Sequence, residues 1–193
     1  MRLINGKPVV RCSSLDQLLG CPGSRTLQAR VGQREDESES WEGNWCHWKA
    51  ARRFIDEFGA MPPEGGLPLP RVPKDYVPSS YAEWMVDFYV HGVMEDTPGD
   101  WAMEVESEGL VELPCCYLYG HRDVGAIAPD ASAVNLDDLK SGKNAVDIAE
   151  CNWQVLGYAG LYKGEYGAKL KRVCAKIRQP GNDDETDPRV SSV

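Results

Sequence analysis

Two acids and two lysines stand close together in the segment NLDDLKSGK, residues 135–143. Side chains two positions apart on a strand point to the same face of a sheet, so Asp138 and Lys140 are expected to project together. Leu139 should then face a core on the other side, and Asp137 belongs with Leu139 or at the strand edge. We therefore favour Asp138 as the acid with a chemical role. A D-x-K pattern alone is a weak signal, and a solvated turn after a strand is the structural alternative.

A further acid, Asp123 in GHRDVGA, interrupts an otherwise apolar predicted strand. A carboxylate in such a place costs free energy unless it is paired or binds a cation. Two carboxylates that converge from adjacent strands, here Asp123 and Asp138, form an oxygen-rich site suited to Mg²⁺ or Mn²⁺. A lysine beside them, such as Lys140, can stabilise the charge that develops on phosphorus or help to position and deprotonate water. This is the chemistry that phosphodiester hydrolysis requires.

Three side chains on predicted helices could complete this site. His47, in GNWCH on the predicted helix 41–58, could supply an imidazole ligand. Gln154 and Tyr158 are four residues apart on the predicted helix 147–167, so both face one side and could lie over the same site. Each has a structural alternative, because His47 could sit in an aromatic core and the other two could serve helix packing.

The elements that must position these residues follow from the periodicity of the sequence. The predicted order is helices, three strands, helix and strand, with the three strands in residues 101–113, 117–129 and 133–142 and the last in 171–180. A further helix is predicted over 81–95, with Trp84, Met85, Val86 and Phe88 on its core side. Glu104, Glu106 and Glu108 are predicted to line one face of the first strand. We expect an exposed face there, with an additional metal-binding acid at Glu104 or Glu106 as the alternative.

The length of 193 residues predicts a single domain over residues 1–180, with a helical part at 12–95 and a catalytic sheet and helix at 101–180. The proline-rich segment 60–80 is interpreted as an ordered excursion or surface loop. The polar tail, residues 181–193, is expected to be poorly ordered.

Charge and composition bound the function. The net charge of −9 argues against broad electrostatic attraction to nucleic acid, although a local basic groove remains compatible with a nuclease. The sequence shows no membrane span and no signal peptide, which predicts a cytoplasmic protein. Seven scattered cysteines do not form a secreted disulfide framework.

Four motifs occur in a particular order: G-x-x-x-H at 43–47, G-x-x-D at 120–123, D-x-K at 138–140 and Q-x-x-x-Y at 154–158. This set resembles the RecB-like branch of the PD-(D/E)XK nuclease superfamily. The opening SSLDQLLGCPGSRTLQA, the DLKSGK segment and the terminal RQP are most similar to phage-encoded RecB-like exonucleases. The resemblance covers residues 12–180, and the order of the motifs is more specific than any one of them.

The resemblance implies an α/β fold with an αβββαβ core, in which a central mixed sheet is flanked by helices, and DNA cleavage that depends on Mg²⁺ or Mn²⁺ and leaves a 5′-phosphate. It implies metal ligation by His47, Asp123, Asp138 and the backbone carbonyl of Leu139. Lys140 would act on the attacking water or on the charge of the transition state. The supporting catalytic residues would be Gln154 and Tyr158.

Two features of the family are less well matched. Some relatives bind an iron–sulfur cluster through one N-terminal cysteine and a C-terminal cysteine trio; Cys21 could be the first ligand, but Cys151 and Cys174 are far apart and no trio follows. An iron–sulfur cluster is therefore not expected. Arg122 occupies the place before Asp123 where the superfamily name has a proline. The candidate DNA contacts are Arg52, Arg53, Arg122 and Lys143.

Our first hypothesis is a phage or prophage DNA exonuclease, acting in DNA recombination or processing in the cytoplasm of an infected or lysogenic bacterial host. Exonucleases of this superfamily often form rings, and a homo-oligomeric ring would let a subunit of charge −9 hold DNA topologically. A single-strand annealing or recombination protein is a candidate partner. The alternatives are a non-catalytic binding protein or inhibitor on a nuclease scaffold, which the acidic surface would suit, and a structure-specific endonuclease.

Overall fold

The computed structural model describes residues 2–20, 37–142, 147–179 and 189–193, without the side chains of residues 37–40 and 189. In chain order its elements are β1 (Leu3–Ile4), β2 (Lys7–Arg11), a 3-10 turn (Cys12–Ser14), α1 (Leu15–Gly20), α2 (Glu37–Phe58), α3 (Ser80–Asp96), β3 (Ala102–Glu112), β4 (Tyr117–Ile127), β5 (Ala133–Leu139), a second 3-10 turn (Ala149–Cys151), α4 (Trp153–Tyr166), β6 (Arg172–Gln179) and β7 (Arg189–Ser192).

The strands form one mixed sheet in the order β1-β2-β4-β5-β6-β7, and β3 pairs with β4 in addition. The pairs β3–β4 and β4–β5 are antiparallel, whereas β5 and β6 run parallel because α4 carries the chain back across the sheet. The predicted order of helices, three strands, helix and strand is confirmed, and so is the fold class of a mixed sheet flanked by helices.

Helices cover the sheet on both faces, and each interface is an apolar core. The core below α2 and α3 includes Cys46, Phe54, Met85, Tyr89, Val90, Val105, Val124 and Leu139. The core below α4 includes Leu118, Val134, Leu136, Val155, Leu161, Tyr162 and Ile177. Because β5 is sandwiched between these layers, alternate residues of β5 enter different cores. No helix in the described part of the chain is long and apolar enough to cross a membrane.

Several elements differ from the predicted ones. The short strands β1 and β2 were not predicted, and β2 extends the sheet by pairing in parallel with β4. The expectation of a poorly ordered tail is wrong for residues 189–192, which pair with β6 as the antiparallel strand β7.

The predicted core face of α3 is correct only in part. Met85 and Val86 are buried, whereas Trp84 and Phe88 are half-buried and stack on each other with ring centroids 5.8 Å apart. The side chains that complete the buried face of α3 are Ala82, Tyr89, Val90 and Val93.

Candidate active site

The strands β4 and β5 separate at one end, and a carboxylate occupies the opening. Their ladder runs from Ile127 opposite Val134 to Val124 opposite Asp137. One residue further, Oδ2 of Asp123 accepts a hydrogen bond of 2.8 Å from the backbone N–H of Leu139. The Asp123 side chain thus replaces a backbone partner at the place where the strand pair opens.

Helix α2 brings an imidazole to this opening. Nδ1 of His47 lies 3.3 Å from Oδ2 of Asp123. A close approach between α2 and the segment after β5 makes this possible, because a Cβ atom on Gly43 would lie only 2.7 Å from Oγ of Ser141. The absence of a side chain at Gly43, one helical turn before His47, therefore allows α2 to approach this segment closely.

Glu106 is the third group at the opening. It has a left-handed backbone with φ of 48°, between the ladder pairs that Val105 and Ser107 form with β4. One ligand atom from each of His47, Glu106 and Asp123 lies within 4.8 Å of the other two. Glu106 is therefore the member of the glutamate triplet that joins the candidate site.

The prediction that the three glutamates line one exposed strand face is wrong. Glu104 accepts hydrogen bonds from Tyr162 of α4, at 2.7 Å, and from Ser107, at 2.8 Å. Glu108 is exposed and lies beside a different surface group, 3.0 Å from His121. The left-handed residue Glu106 breaks the period of two on which that prediction depended.

The D-x-K pair lies directly beside these groups. Nζ of Lys140 is 2.7 Å from Oδ2 of Asp138, whose side chain is buried. That oxygen has no hydrogen bond within the described part of the chain, so the contact is an ion pair without hydrogen-bond alignment. Leu139, between the two residues, packs into the core below α2 and α3, as its place in the strand predicted.

Asp137 enters the opposite layer from Asp138. Its Oδ1 accepts a hydrogen bond of 2.6 Å from Nε of Arg178, and Arg178 also bonds Asp96 at the end of α3. The hydroxyl of Tyr89 donates to the Asp137 carbonyl. The prediction that Asp137 shares the face of Leu139 is confirmed, and Asp137 anchors α3 to the sheet.

Helix α4 supplies the residues that hold Lys140 in place. Oε1 of Gln154 accepts a hydrogen bond of 3.0 Å from Nζ of Lys140, and Nε2 of Gln154 donates to the hydroxyl of Tyr158 at 2.6 Å. The backbone N–H of Lys140 donates to the carbonyl of Arg178 and so continues the parallel pairing with β6. The structure thus brings the Q-x-x-x-Y motif to the lysine, as the helical spacing predicted.

The charges at the opening perturb one another strongly. Burial disfavours a charged Asp123, but His47 and Lys140 outweigh that effect and lower the pKa of Asp123. Burial lowers the pKa of His47, but Asp123 outweighs it and raises the pKa to about 9. Burial raises the pKa of Glu106 to about 7 and that of Asp138 to about 6.

These residues fit a divalent cation. His47, Glu106 and Asp123 each place one ligand atom within 4.8 Å of the other two. Asp138 is not a member of that cluster and lies beside it, paired with Lys140. Oxygen-rich donor sets with one imidazole suit Mg²⁺ or Mn²⁺. The backbone N–H of Leu139 is bonded to Asp123, which places this peptide next to the cluster; ligation by its carbonyl stays a prediction.

The predicted DNA contact at Arg122 does not fit its position. Arg122 is 2% exposed, and its guanidinium bonds Glu165 at 2.7 Å and Ser107 at 3.0 Å. It also lies over the ring of Tyr162, 4.1 Å from the centroid. Arg122 therefore fastens α4 to the sheet and is not available to a phosphate.

The other candidate DNA contacts are paired or undescribed. Arg52 is exposed and lies 2.6 Å from Asp56, and Arg53 contacts both Glu57 and Asp87. Lys143 lies outside the described residues, and so does Cys21, the cysteine considered for a cluster. A DNA contact by Arg52, Arg53 or Lys143 stays a prediction.

Comparison with known proteins supports the fold. No protein-family model matches the chain, and no curated protein matches it. Among solved structures, a protein from Eubacterium rectale described as a "Putative exonuclease" superposes with a TM-score of 0.50 at 12% sequence identity. The alignment covers 100% of this chain and 78% of that one. At this identity the similarity shows a shared fold, with a mixed sheet between layers of helices.

Proposed function

We propose that this protein is a divalent-metal-dependent DNA nuclease of the RecB-like PD-(D/E)XK type. The observation that carries the proposal is the meeting of two groups of residues where β4 and β5 separate. The ligand atoms of His47, Glu106 and Asp123 lie within 4.8 Å of one another. Leu139, which stands between Asp138 and Lys140, donates a hydrogen bond to Asp123 and so holds the Asp138–Lys140 ion pair next to this cluster. The motif order in the sequence and the fold of the Eubacterium rectale protein support the same proposal.

Mg²⁺ or Mn²⁺ would be held by His47, Glu106, Asp123 and Asp138, with the Leu139 carbonyl as a further donor. When bound, such an ion polarises a phosphoryl oxygen and lowers the pKa of a water molecule. Asp123 has a second function that does not depend on the ion, because its hydrogen bond from Leu139 ties β4 to β5 where their backbone ladder ends.

Lys140 brings an ammonium group to this site. Its ammonium lies 2.7 Å from Asp138 and donates to Gln154, so both its charge and its direction are set by the protein. An ammonium held in this way stabilises negative charge that develops on a phosphoryl group. Gln154 orients Lys140, and the hydroxyl of Tyr158 orients Gln154 by accepting a hydrogen bond from its amide nitrogen.

An exonuclease is the form of the activity that we favour. The sequence resemblance to phage-encoded RecB-like exonucleases and the description of the Eubacterium rectale protein support it. A homo-oligomeric ring would reconcile the net charge of −9 with DNA binding, because a closed ring retains DNA without strong electrostatic attraction. A role in phage recombination, with a single-strand annealing protein as partner, belongs to the same proposal.

The experiment is the incubation of end-labelled linear DNA and closed circular DNA with the protein in Mg²⁺. An exonuclease degrades the linear DNA and spares the circle, whereas cleavage of the circle indicates an endonuclease. Asp138→Ala and Lys140→Ala should remain folded and lose the activity, and EDTA should abolish it in the wild type. Lys169→Ala, at an exposed lysine after α4, is the matched control and should retain it. Full activity in both site variants would refute the mechanism.

A non-catalytic binding protein or DNA mimic on the same scaffold is the second candidate, and the net charge of −9 favours it. Calorimetric titration with Mn²⁺ separates the two. Absence of binding at millimolar Mn²⁺, together with absence of DNA cleavage, would favour the scaffold.

A further inference from the structure

A second cavity adjoins the candidate active site and has a different charge. It encloses about 280 Å³ between the end of β2, the proline-rich segment and β4. The side chains that matter for its chemistry are Arg11, Ser13, Arg71, Tyr119, His121 and Tyr158. None of the described residues that line it is acidic, whereas Glu106 and Glu108 are among the residues that line the groove on the other side of His121.

The two arginines of this cavity differ from the other arginines near the site. Neither Arg11 nor Arg71 has an ion pair or a side-chain hydrogen bond within the described ranges, and both side chains are exposed. Arg53, Arg122 and Arg178, by contrast, are each bound to carboxylates. In a chain with a net charge of −9, two guanidinium groups around one cavity, with no partner among the described residues, are suited to bind an external anion.

The floor of the cavity is connected to the candidate catalytic lysine. Tyr158 lines the cavity, its hydroxyl lies 2.6 Å from Gln154, and Gln154 lies 3.0 Å from Lys140. Gly120 keeps the floor open, since a Cβ atom there would lie 2.6 Å from the Tyr158 ring. The cavity is therefore within a few nucleotides of the proposed scissile bond, because a strand advances about 3.4 Å per nucleotide.

We propose that this cavity is a phosphate subsite for the nucleic-acid strand that is cut. This inference rests on the proposed nuclease function and adds to it the residues that position the substrate. Arg11 and Arg71 bind a phosphodiester a few nucleotides from the scissile one, through the planar guanidinium forks that match phosphate oxygens. They are positioning residues, and the neighbouring ring of Tyr119 offers a surface on which a base of the same strand stacks.

The test uses the full chain with Arg11→Gln, Arg71→Gln and the double variant. Arg172→Gln is the matched control. Arg172 is exposed and has no ion pair among the described residues, and it lies opposite Ala133 in the sheet, six residues along β5 from Leu139. Fluorescence anisotropy with a labelled single-stranded oligonucleotide in EDTA measures binding without cleavage, over a series of salt concentrations. A parallel titration with inorganic phosphate examines free phosphate as the ligand.

We expect the double variant to bind the oligonucleotide roughly tenfold more weakly or worse. The slope of log K against log salt should fall by about 0.7 for each arginine removed. In Mg²⁺ the KM for DNA should rise while kcat changes less than about twofold, a separation that a purely structural defect would not give. Arg172→Gln should match the wild type in all three measurements.

The subsite proposal is overturned if the double variant shows the affinity and salt slope of Arg172→Gln. It is also overturned if the variants lose affinity for inorganic phosphate only, or if the wild type does not bind the oligonucleotide. Failure of the nuclease proposal looks different, because the wild type would then bind the oligonucleotide through Arg11 and Arg71 but leave DNA uncut in Mg²⁺.

Discussion

Asp137 and Asp138 are neighbours in the sequence, but their side chains enter opposite layers of the protein, so their substitution should have opposite consequences. Asp137 bonds Arg178 in the layer of α3, and Asp138 pairs with Lys140 beside the candidate metal ligands. We predict that Asp137→Ala destabilises the protein and leaves it active, and that Asp138→Asn leaves it folded and inactive.

The magnitudes follow from what each substitution leaves behind. Removal of one partner from a buried ion pair costs about 3–5 kcal/mol, since the other charge stays buried. Arg178 remains charged but retains Asp96, so we expect about 3 kcal/mol for Asp137→Ala and a fall in Tm of roughly 6–12 °C. Lys140 is more exposed than Arg178, at 19% against 5% of the side chain, and keeps its hydrogen bond to Gln154, so Asp138→Asn should cost less than Asp137→Ala, about 1–2 kcal/mol, and leave the protein folded.

Thermal and urea unfolding measure the first quantity, and the degradation of linear DNA in Mg²⁺ at 25 °C measures the second. Asp138→Asn should lower kcat by at least about 100-fold, whereas Asp137→Ala, at a temperature where it is folded, should keep the wild-type rate within a few-fold. The reasoning is refuted if Asp137→Ala is stable but inactive, or if Asp138→Asn retains full activity.

Three further substitutions test the surroundings of the site. Gln154→Met removes the acceptor that directs Lys140 and should lower kcat by roughly 10–100-fold without changing the calorimetric affinity for Mn²⁺; an equal loss of Mn²⁺ affinity would contradict this role. Gly120→Ala places a methyl group against the ring of Tyr158 and should reduce both the unfolding free energy, by about 1–3 kcal/mol, and the cleavage rate; wild-type values of both would show that the ring moves freely. Arg122→Met should cost about 3 kcal/mol of stability but leave the salt dependence of DNA binding unchanged, because Arg122 is buried; a smaller salt slope would restore it as a phosphate contact.

The regular parts of the site were predictable from the sequence. The period of two along β5 separates Asp138 and Lys140 from Leu139 and Asp137, and the helical spacing of four residues places Gln154 and Tyr158 together. These relations are local, so they do not depend on the rest of the fold. The convergence of His47 with Asp123 is not local, so no periodicity predicts it; the residue types suggested it, and the resemblance to a known motif order supported it.

Irregular backbone explains the errors near the site. Glu106 has a left-handed φ, which alternation of polar and apolar residues does not predict for a glutamate. With this backbone conformation the Glu106 side chain reaches His47 and Asp123. Because of the same local irregularity, Glu104 does not join them and instead accepts a hydrogen bond from the hydroxyl of Tyr162 on α4. The sequence therefore identified the additional acid only as one of two.

Long-range pairing explains the remaining differences. The strands β2 and β7 are short, and each is stabilised by pairing with a strand outside its own segment, β4 and β6 respectively. Arg11 ends β2 and Arg71 lies in the proline-rich segment, so no shared periodicity links them. Their proximity around one cavity is visible only in three dimensions.

Anomalous diffraction from crystals grown or soaked with Mn²⁺ tests the central claim most directly. The account predicts a Mn²⁺ peak at the opening between β4 and β5, with side-chain atoms of His47 and Asp123 within about 2.0–2.5 Å and a carboxylate of Glu106 or Asp138 completing the shell. A Mn²⁺ ion bound elsewhere on the protein, or no peak at millimolar Mn²⁺ in crystals where these side chains are free of lattice contacts, would contradict it.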